Sequence, residues 1–304
     1  MNKRPDFRWT LLAPRHWPIW LGFALLRALV LLPHGWQLRF GRALGPFLRR
    51  ALRSRERVAL RNLELCFPEQ DDSWRRAVVR ELFASLGMMI FEIGSAWWGS
   101  PRRHRRLGDV RGLDALQRAQ ADGRGVLLLF GHFTSLELAG RLLAYHQDMA
   151  GLYREHGNPV LEYIVRRRRL NYGEALFNRN ELRGMVKYLR AGGVLWYAPD
   201  QDYQRGENVF APFFGVPAST TTSTHQLARM GRARVLVTRN VRRADGRYEV
   251  EILDPVPEVP SADVTEDCRR INEAIEALVR ACPEQYLWVH RRFKTRPEGE
   301  ASLY

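Results

Sequence analysis

Between Gly125 and Gly131 the chain carries an unbroken apolar run, Val126, Leu127, Leu128, Leu129 and Phe130. Five residues are too few for a helix, and a run without a polar position offers no face to water. The segment therefore predicts a strand buried on both faces of a parallel sheet. Thr134-Ser135-Leu136-Glu137 follows with the spacing of a capping box, which predicts the start of a helix. His132 thereby falls in the turn at the carboxyl end of a strand, where open α/β sheets place their ligands.

His132 and Glu137 are five residues apart. At roughly 100° per residue they would point about 140° apart on a single helix and would not meet. With His132 in the turn and Glu137 in the first helical turn, the carboxylate is expected to reach back to one imidazole nitrogen and leave the other as a general base. The simpler alternative is that Glu137 caps the helix and His132 fills the turn.

A chain of 304 residues can bury a core of its own, as one large domain or one domain with an extension. Lys plus Arg exceed Asp plus Glu by 48 − 33 = 15, which implies an anionic partner: nucleic acid, an anionic lipid surface, or an acidic protein or phosphorylated substrate. Cys66, Cys268 and Cys282 are far apart and show no CxxC spacing, so neither a zinc site nor a disulfide framework is expected.

Residues 17–33, WPIWLGFALLRALVLLP, are the most hydrophobic stretch, with 14 residues between the prolines and Arg27 among them. That length is short for a spanning helix and suits a segment lying in a membrane interface, with Arg27 snorkelling. Trp9, Trp17, Trp20 and Trp36 flank or edge it as interfacial aromatics do, and Arg15, Arg39, Arg42, Arg49 and Arg50 form a basic margin. A membrane-anchoring segment over 1–40 and a catalytic domain over 41–304 are the expected division.

Downstream, residues 50–98 have helical periodicity. Short apolar strands are expected at 149–153, 193–198, 234–239 and 248–253, with helices from Pro159, over 181–190 and over 266–281. Strands alternating with helices argue for an α/β fold with a mainly parallel sheet covered on both faces.

In the helix from Pro159 the apolar stripe Leu161, Ile164, Val165 continues as Arg168 and Arg169, so at least one of these arginines is directed inward and needs an acidic partner or a bound anion. Asp200 follows the strand at 193–198 as His132 follows the strand at 126–130, so the two could share one cleft; an Asx-turn is the commoner role of such an aspartate. The run Ser219-Thr220-Thr221-Thr222-Ser223-Thr224 precedes a helix and is expected to supply caps. No HExxH or comparable cluster occurs, and no GxSxG, so neither metal hydrolysis nor a serine triad is indicated.

His132-x4-Glu137, the segment Tyr197-Ala198-Pro199-Asp200-Gln201-Asp202-Tyr203, the threonine run with Leu227-Ala228-Arg229-Met230, and the tail from Pro283-Glu284-Gln285-Tyr286-Leu287-Trp288 to Pro297 together resemble the late acyltransferases of lipid A synthesis, over nearly the whole chain. The resemblance implies a glycerolipid-acyltransferase-like fold with a membrane-associated N-terminal helix. It implies transfer of a fatty acyl chain from acyl carrier protein to a hydroxyl on an acyl chain of a lipid A precursor, at the cytoplasmic face of the inner membrane. No cofactor, no metal and no nucleic acid is expected. Carried over by position, His132 and Glu137 look like the catalytic dyad, with Arg169 and Asp200 as supporting residues that bind substrate. The same dyad chemistry on a glycerophospholipid acceptor is the nearest alternative; such enzymes usually carry an aspartate where Glu137 stands.

Overall fold

A computed structural model describes residues 4–202 and 206–304. Tyr203, at the end of one of the segments that carry the resemblance, lies outside the described residues. The strands are β1 Gly108–Arg111, β2 Val126–Leu129, β3 Ala150–Tyr153, β4 Ala175–Asn178, β5 Val194–Tyr197, β6 Asn208–Phe213, β7 Val216–Thr221, β8 Arg234–Arg242 and β9 Tyr248–Ile252. Seven of them form one sheet in the order β1-β9-β8-β2-β5-β3-β4, parallel except for the β8–β9 pair, and β6 and β7 form a separate antiparallel hairpin.

The run around Leu128 is the centre of this sheet. All four residues of β2 are fully buried between β8 and β5. Leu127 and Leu129 face a layer built largely from α9 Leu182–Arg190, α10 Ser223–Gly231 and α11 Val264–Ala281, while Val126 and Leu128 face α6 Leu113–Gln120 and α7 Leu136–Leu143. Period-two alternation thus becomes two cores, each strand residue contributing about 1.5 to 3 kcal/mol of burial. The mainly parallel sheet flanked by helices agrees with the periodicity of the sequence.

Three local expectations change. The capping box does not form: α7 begins at Leu136 after Ser135, with no side-chain cap, and the Thr134 N–H donates to the Gln285 carbonyl 2.9 Å away. Ser219, Thr220 and Thr221 are the end of β7, not a run of caps, and α10 starts at Ser223. The edge strands β1 and β4 and the β6–β7 hairpin add to the expected strands; GDVR and ALFN are too short and too mixed to show a period.

The amino-terminal helices lie over this core. α1 Trp17–Leu29 has no buried residue, and α2 His34–Ala51 packs on α4 Asp72–Trp98, the longest helix among the described residues. The α2–α4 approach is close because glycines meet there: a Cβ on Gly41 would stand 2.6 Å from the Met88 Cα, and one on Gly87 2.0 Å from the Gly41 carbonyl oxygen. Residue 40, where the expected anchoring segment ends, lies inside α2. Among the described residues no helix is long and apolar enough to cross a membrane. α3 Arg53–Cys66, α5 Pro101–Leu107 and α8 Pro159–Arg169 complete the helices described.

Candidate active site

The carboxyl ends of β2 and β5 are neighbours, and the turns that follow them carry His132 and Asp200. Asp200 is 1% exposed. One carboxylate oxygen accepts from the His132 main-chain N–H at 2.8 Å, and the other lies 2.5 Å from Nδ1 of the same residue. A carboxylate only accepts, so Nδ1 carries the proton and Nε2 presents its lone pair. The His132 side chain is 27% exposed and lines a cavity of about 680 Å³.

Electrostatics follow from this pairing. Burial pulls the His132 pKa down, but the adjoining Asp200 carboxylate outweighs it and leaves the imidazole above its ordinary value, with Arg169 opposing. Burial pushes the Asp200 carboxyl up, yet His132 and the Tyr286 hydroxyl hold it down at about 2.

Glu137, the expected partner of His132, points elsewhere. Its carboxylate accepts from Arg169 Nη2 at 2.6 Å and Nε at 3.1 and 3.2 Å, from the Tyr172 hydroxyl at 2.6 Å, and from the Trp97 indole N–H at 2.7 Å. Burial raises the Glu137 pKa; the guanidinium and the other donors more than reverse this and keep it ionised. The helical position explains the direction: in the first turn of α7, Glu137 faces Arg169 and Tyr172 and Trp97 of α4, whereas the turn holding His132 faces the β5 loop. Arg169 is indeed the inward arginine of its run, and its partner is Glu137 and not Asp200. Arg169 is also hydrogen-bonded to Tyr172, and the side chain lines the cavity with Glu137 and Tyr172.

The tail supports the His132 turn. Residues 283–288 run beside it: the Leu287 N–H donates to the His132 carbonyl at 2.9 Å, Phe133 and Tyr286 form an isolated bridge, and the Tyr286 hydroxyl reaches Asp200. Trp288 and Phe293 are fully buried and fix this segment in the core. Arg292, 2% exposed, donates to the Ser219 carbonyl and the Thr220 hydroxyl, which ties the threonine run to the tail. Sequence reasoning alone misses Tyr286, Tyr172 and Trp97, since each looks like an ordinary core aromatic until the fold brings it to a carboxylate.

The cavity opens where β3 leaves β5. These strands pair only at Ala150↔Leu195 and Gly151↔Trp196, and Leu152, Tyr153, Trp196 and Tyr197 line the fork beyond. Leu176, Leu182, Met185 and Leu227 continue an apolar wall. A Cβ on Gly151 would meet one atom, 3.4 Å away on Leu176, so the floor of the fork is open there. Trp196 lies over Gly140, whose hydrogen is all the ring leaves room for: a Cβ would come within 2.1 Å of it.

A histidine oriented by a carboxylate, at the wall of a cavity with an apolar side, suits proton abstraction from a hydroxyl. A profile described as bacterial lipid A biosynthesis acyltransferase matches residues 4–295. The chain belongs to this family. It is 42% identical over 294 residues, 96% of each chain, to a lipid A biosynthesis palmitoleoyltransferase of Escherichia coli (strain K12). It is 40% identical over 306 residues, 100% of each chain, to a lipid A biosynthesis lauroyltransferase of the same organism. A lipid A biosynthesis myristoyltransferase, also from that strain, is 30% identical over 305 residues, 99% of this chain and 94% of its own. Three relatives of one family thus carry names with different acyl groups, while the present chain brings His132, Asp200, Glu137 and Arg169 to one cavity.

Proposed function

We propose that this lipid A acyltransferase moves a fatty acyl group from a thioester on acyl carrier protein to a hydroxyl on an acyl chain of a lipid A precursor, working at the cytoplasmic face of the inner membrane. The observation that carries the mechanism is the His132–Asp200 pair at the cavity wall. His132 Nε2 takes the proton of the acceptor hydroxyl as its oxygen attacks the thioester carbonyl. The oxyanion collapses to an ester, and the departing thiolate takes the proton from the imidazolium. General-base assistance of this kind is worth about 10² to 10⁴ in rate, and the Asp200 carboxylate stabilises the imidazolium that forms.

The turn N–H groups of His132, Phe133 and Thr134 are already committed to Asp200, the Gly131 carbonyl and the Gln285 carbonyl. The Arg169 guanidinium at the cavity wall is therefore the better donor to the developing oxyanion, with Glu137, Tyr172 and Trp97 fixing it. In this reading Glu137 acts through Arg169 and is a positioning residue.

Attachment to the membrane is supported by seven exposed apolar side chains in two helical stripes: Trp17, Leu21 and Leu25 on α1, and Trp36, Phe40, Leu44 and Phe47 on α2. Spacing by three and four residues puts each set on one face, as in a helix lying in the interface plane. The net charge of +15 favours both an anionic bilayer and an acidic carrier protein. The test is reconstitution of purified protein with an acyl carrier protein thioester and a lipid A precursor, read by mass spectrometry. One added acyl group in ester linkage is expected; an untouched precursor would refute the reading.

A further inference from the structure

Arg169 has its carboxylate, but Arg167 and Arg168 have no ion-pair partner among the described residues. Arg168, half-buried, lies over the Trp98 ring with its guanidinium carbon 5.1 Å from the ring centroid. Phe23 of α1 packs on the same indole, 6.1 Å between centroids. Arg27 is one turn further along α1 on the face of Phe23, close enough for its charge to act on Arg168. Arg167, one residue back, covers Tyr163 at 5.8 Å. Among the described residues neither Arg27, Arg167 nor Arg168 has a carboxylate within salt-bridge distance, while Glu137 is engaged by Arg169, Tyr172 and Trp97. The Trp98 indole N–H is shielded from solvent and also has no acceptor among the described residues.

Like charges brought together from two helices repel each other unless an anion joins them. A carboxylate takes one planar fork, as Glu137 takes Arg169. Guanidinium groups on separate helices, with an unpartnered indole N–H on the ring that one of them covers, offer donors from several directions, which suits a tetrahedral group with more than one charge and three free oxygens. The cluster adjoins the exposed Leu21 and Leu25 of α1, so a helix lying in a membrane interface would hold it near the lipid headgroups.

We propose that Arg27 and Arg168, with Arg167 at the rim and the Trp98 indole N–H beneath, form a binding site for the phosphate monoester of a lipid, either a phosphate of the acceptor or the headgroup of a bilayer lipid. The source of the phosphate rests on the lipid A acyltransferase reading; the site does not. Arg169 belongs to the Glu137 cluster and takes no part in it.

Full-length protein is sedimented with phosphatidylcholine vesicles containing phosphatidic acid, for the wild type, for Arg27→Gln with Arg168→Gln, and for Arg50→Gln with Arg53→Gln. The last pair removes the same charge from exposed positions of α2 and α3 without ion pairs. A dispersed attraction weakens binding equally in both double variants. A site weakens it about tenfold more in the first. In detergent micelles without phosphatidic acid, the same variant raises KM for a phosphorylated acceptor about tenfold at nearly unchanged kcat, and leaves KM for the dephosphorylated acceptor alone, if the acceptor is the source. A loss confined to vesicles identifies the bilayer lipid. Equal losses in both double variants with unchanged KM, or a KM rise for the carrier-protein thioester alone, overturn the proposal. If the wild type transfers no acyl group, the functional reading fails while the vesicle comparison still reports on the site.

Discussion

Asp200 holds His132 twice, one oxygen on the main-chain N–H at 2.8 Å and the other on the ring nitrogen at 2.5 Å. Turn and imidazole are thus set by a single buried carboxylate in the turn after the neighbouring strand. For Asp200→Asn the sign of the pH effect is fixed. Asp200 raises the His132 pKa against burial and Arg169, and the base works only when neutral. In the wild type, transfer falls as pH drops through that raised pKa. Removing the charge moves this acid limb to lower pH and lowers the plateau roughly 10²-fold or more. Profiles of kcat/KM against pH check both; a limb that stays in place contradicts the pairing.

Glu137→Gln is expected to lower stability and turnover together, because it leaves Arg169 without its countercharge. Removing one partner of a buried pair costs about 3 to 5 kcal/mol, and less here, roughly 1 to 3, since Arg169 is 31% exposed. The folded carboxyl titrates below its ordinary value of 4.5, so its contribution is complete at neutral pH and is lost as pH falls through the lower folded value. Thermal melts at pH 7 beside turnover decide the matter: an unchanged melt with lost turnover would assign Glu137 directly to the imidazole.

Gly140→Ala should displace Trp196 from the cavity wall, since the added methyl would stand 2.1 Å from the ring. Overpacking of this kind costs typically 1 to 3 kcal/mol. The double variant with Trp196→Leu recovers most of that loss if the clash is its cause, and a melt of the single variant equal to wild type would show that the ring is not where it is described.

Leu21→Glu with Leu25→Glu tests the interfacial face without removing the helix, which matters because the segment is also structural: Arg103 donates to the Val30 and Leu32 carbonyls, and Gln37 to the same two at 2.9 and 2.8 Å. Vesicle flotation is expected to be lost while the melting temperature holds. Full flotation of the variant would move the membrane contact elsewhere.

The central strand and its turn can be read in the sequence because β2 is buried on both faces, which leaves no polar residue to blur the run from Val126 to Phe130. His132 and Asp200 can be placed by the same logic, at the ends of adjacent parallel strands. What one chain does not reveal is who faces whom. The five-residue spacing from His132 suggests Glu137 as the partner, but spacing fixes only the angle around α7, and the position of α8 decides that this face meets Arg169. Tyr286 reaches Asp200 from more than eighty residues away, a contact made by the tail's packing and not by any local pattern. The β6–β7 hairpin is hidden because its second strand is rich in Ser and Thr, which resemble helix caps when read alone.

The mechanism rests most directly on His132. Purified His132→Ala, shown to be folded by its melting transition, is incubated with an acyl carrier protein thioester and a lipid A precursor, and the product is weighed by mass spectrometry. Wild type is expected to add one acyl group and the variant to fall by about 10² to 10⁴ in rate. Transfer by the variant at the wild-type rate would contradict the assignment of His132 as the base.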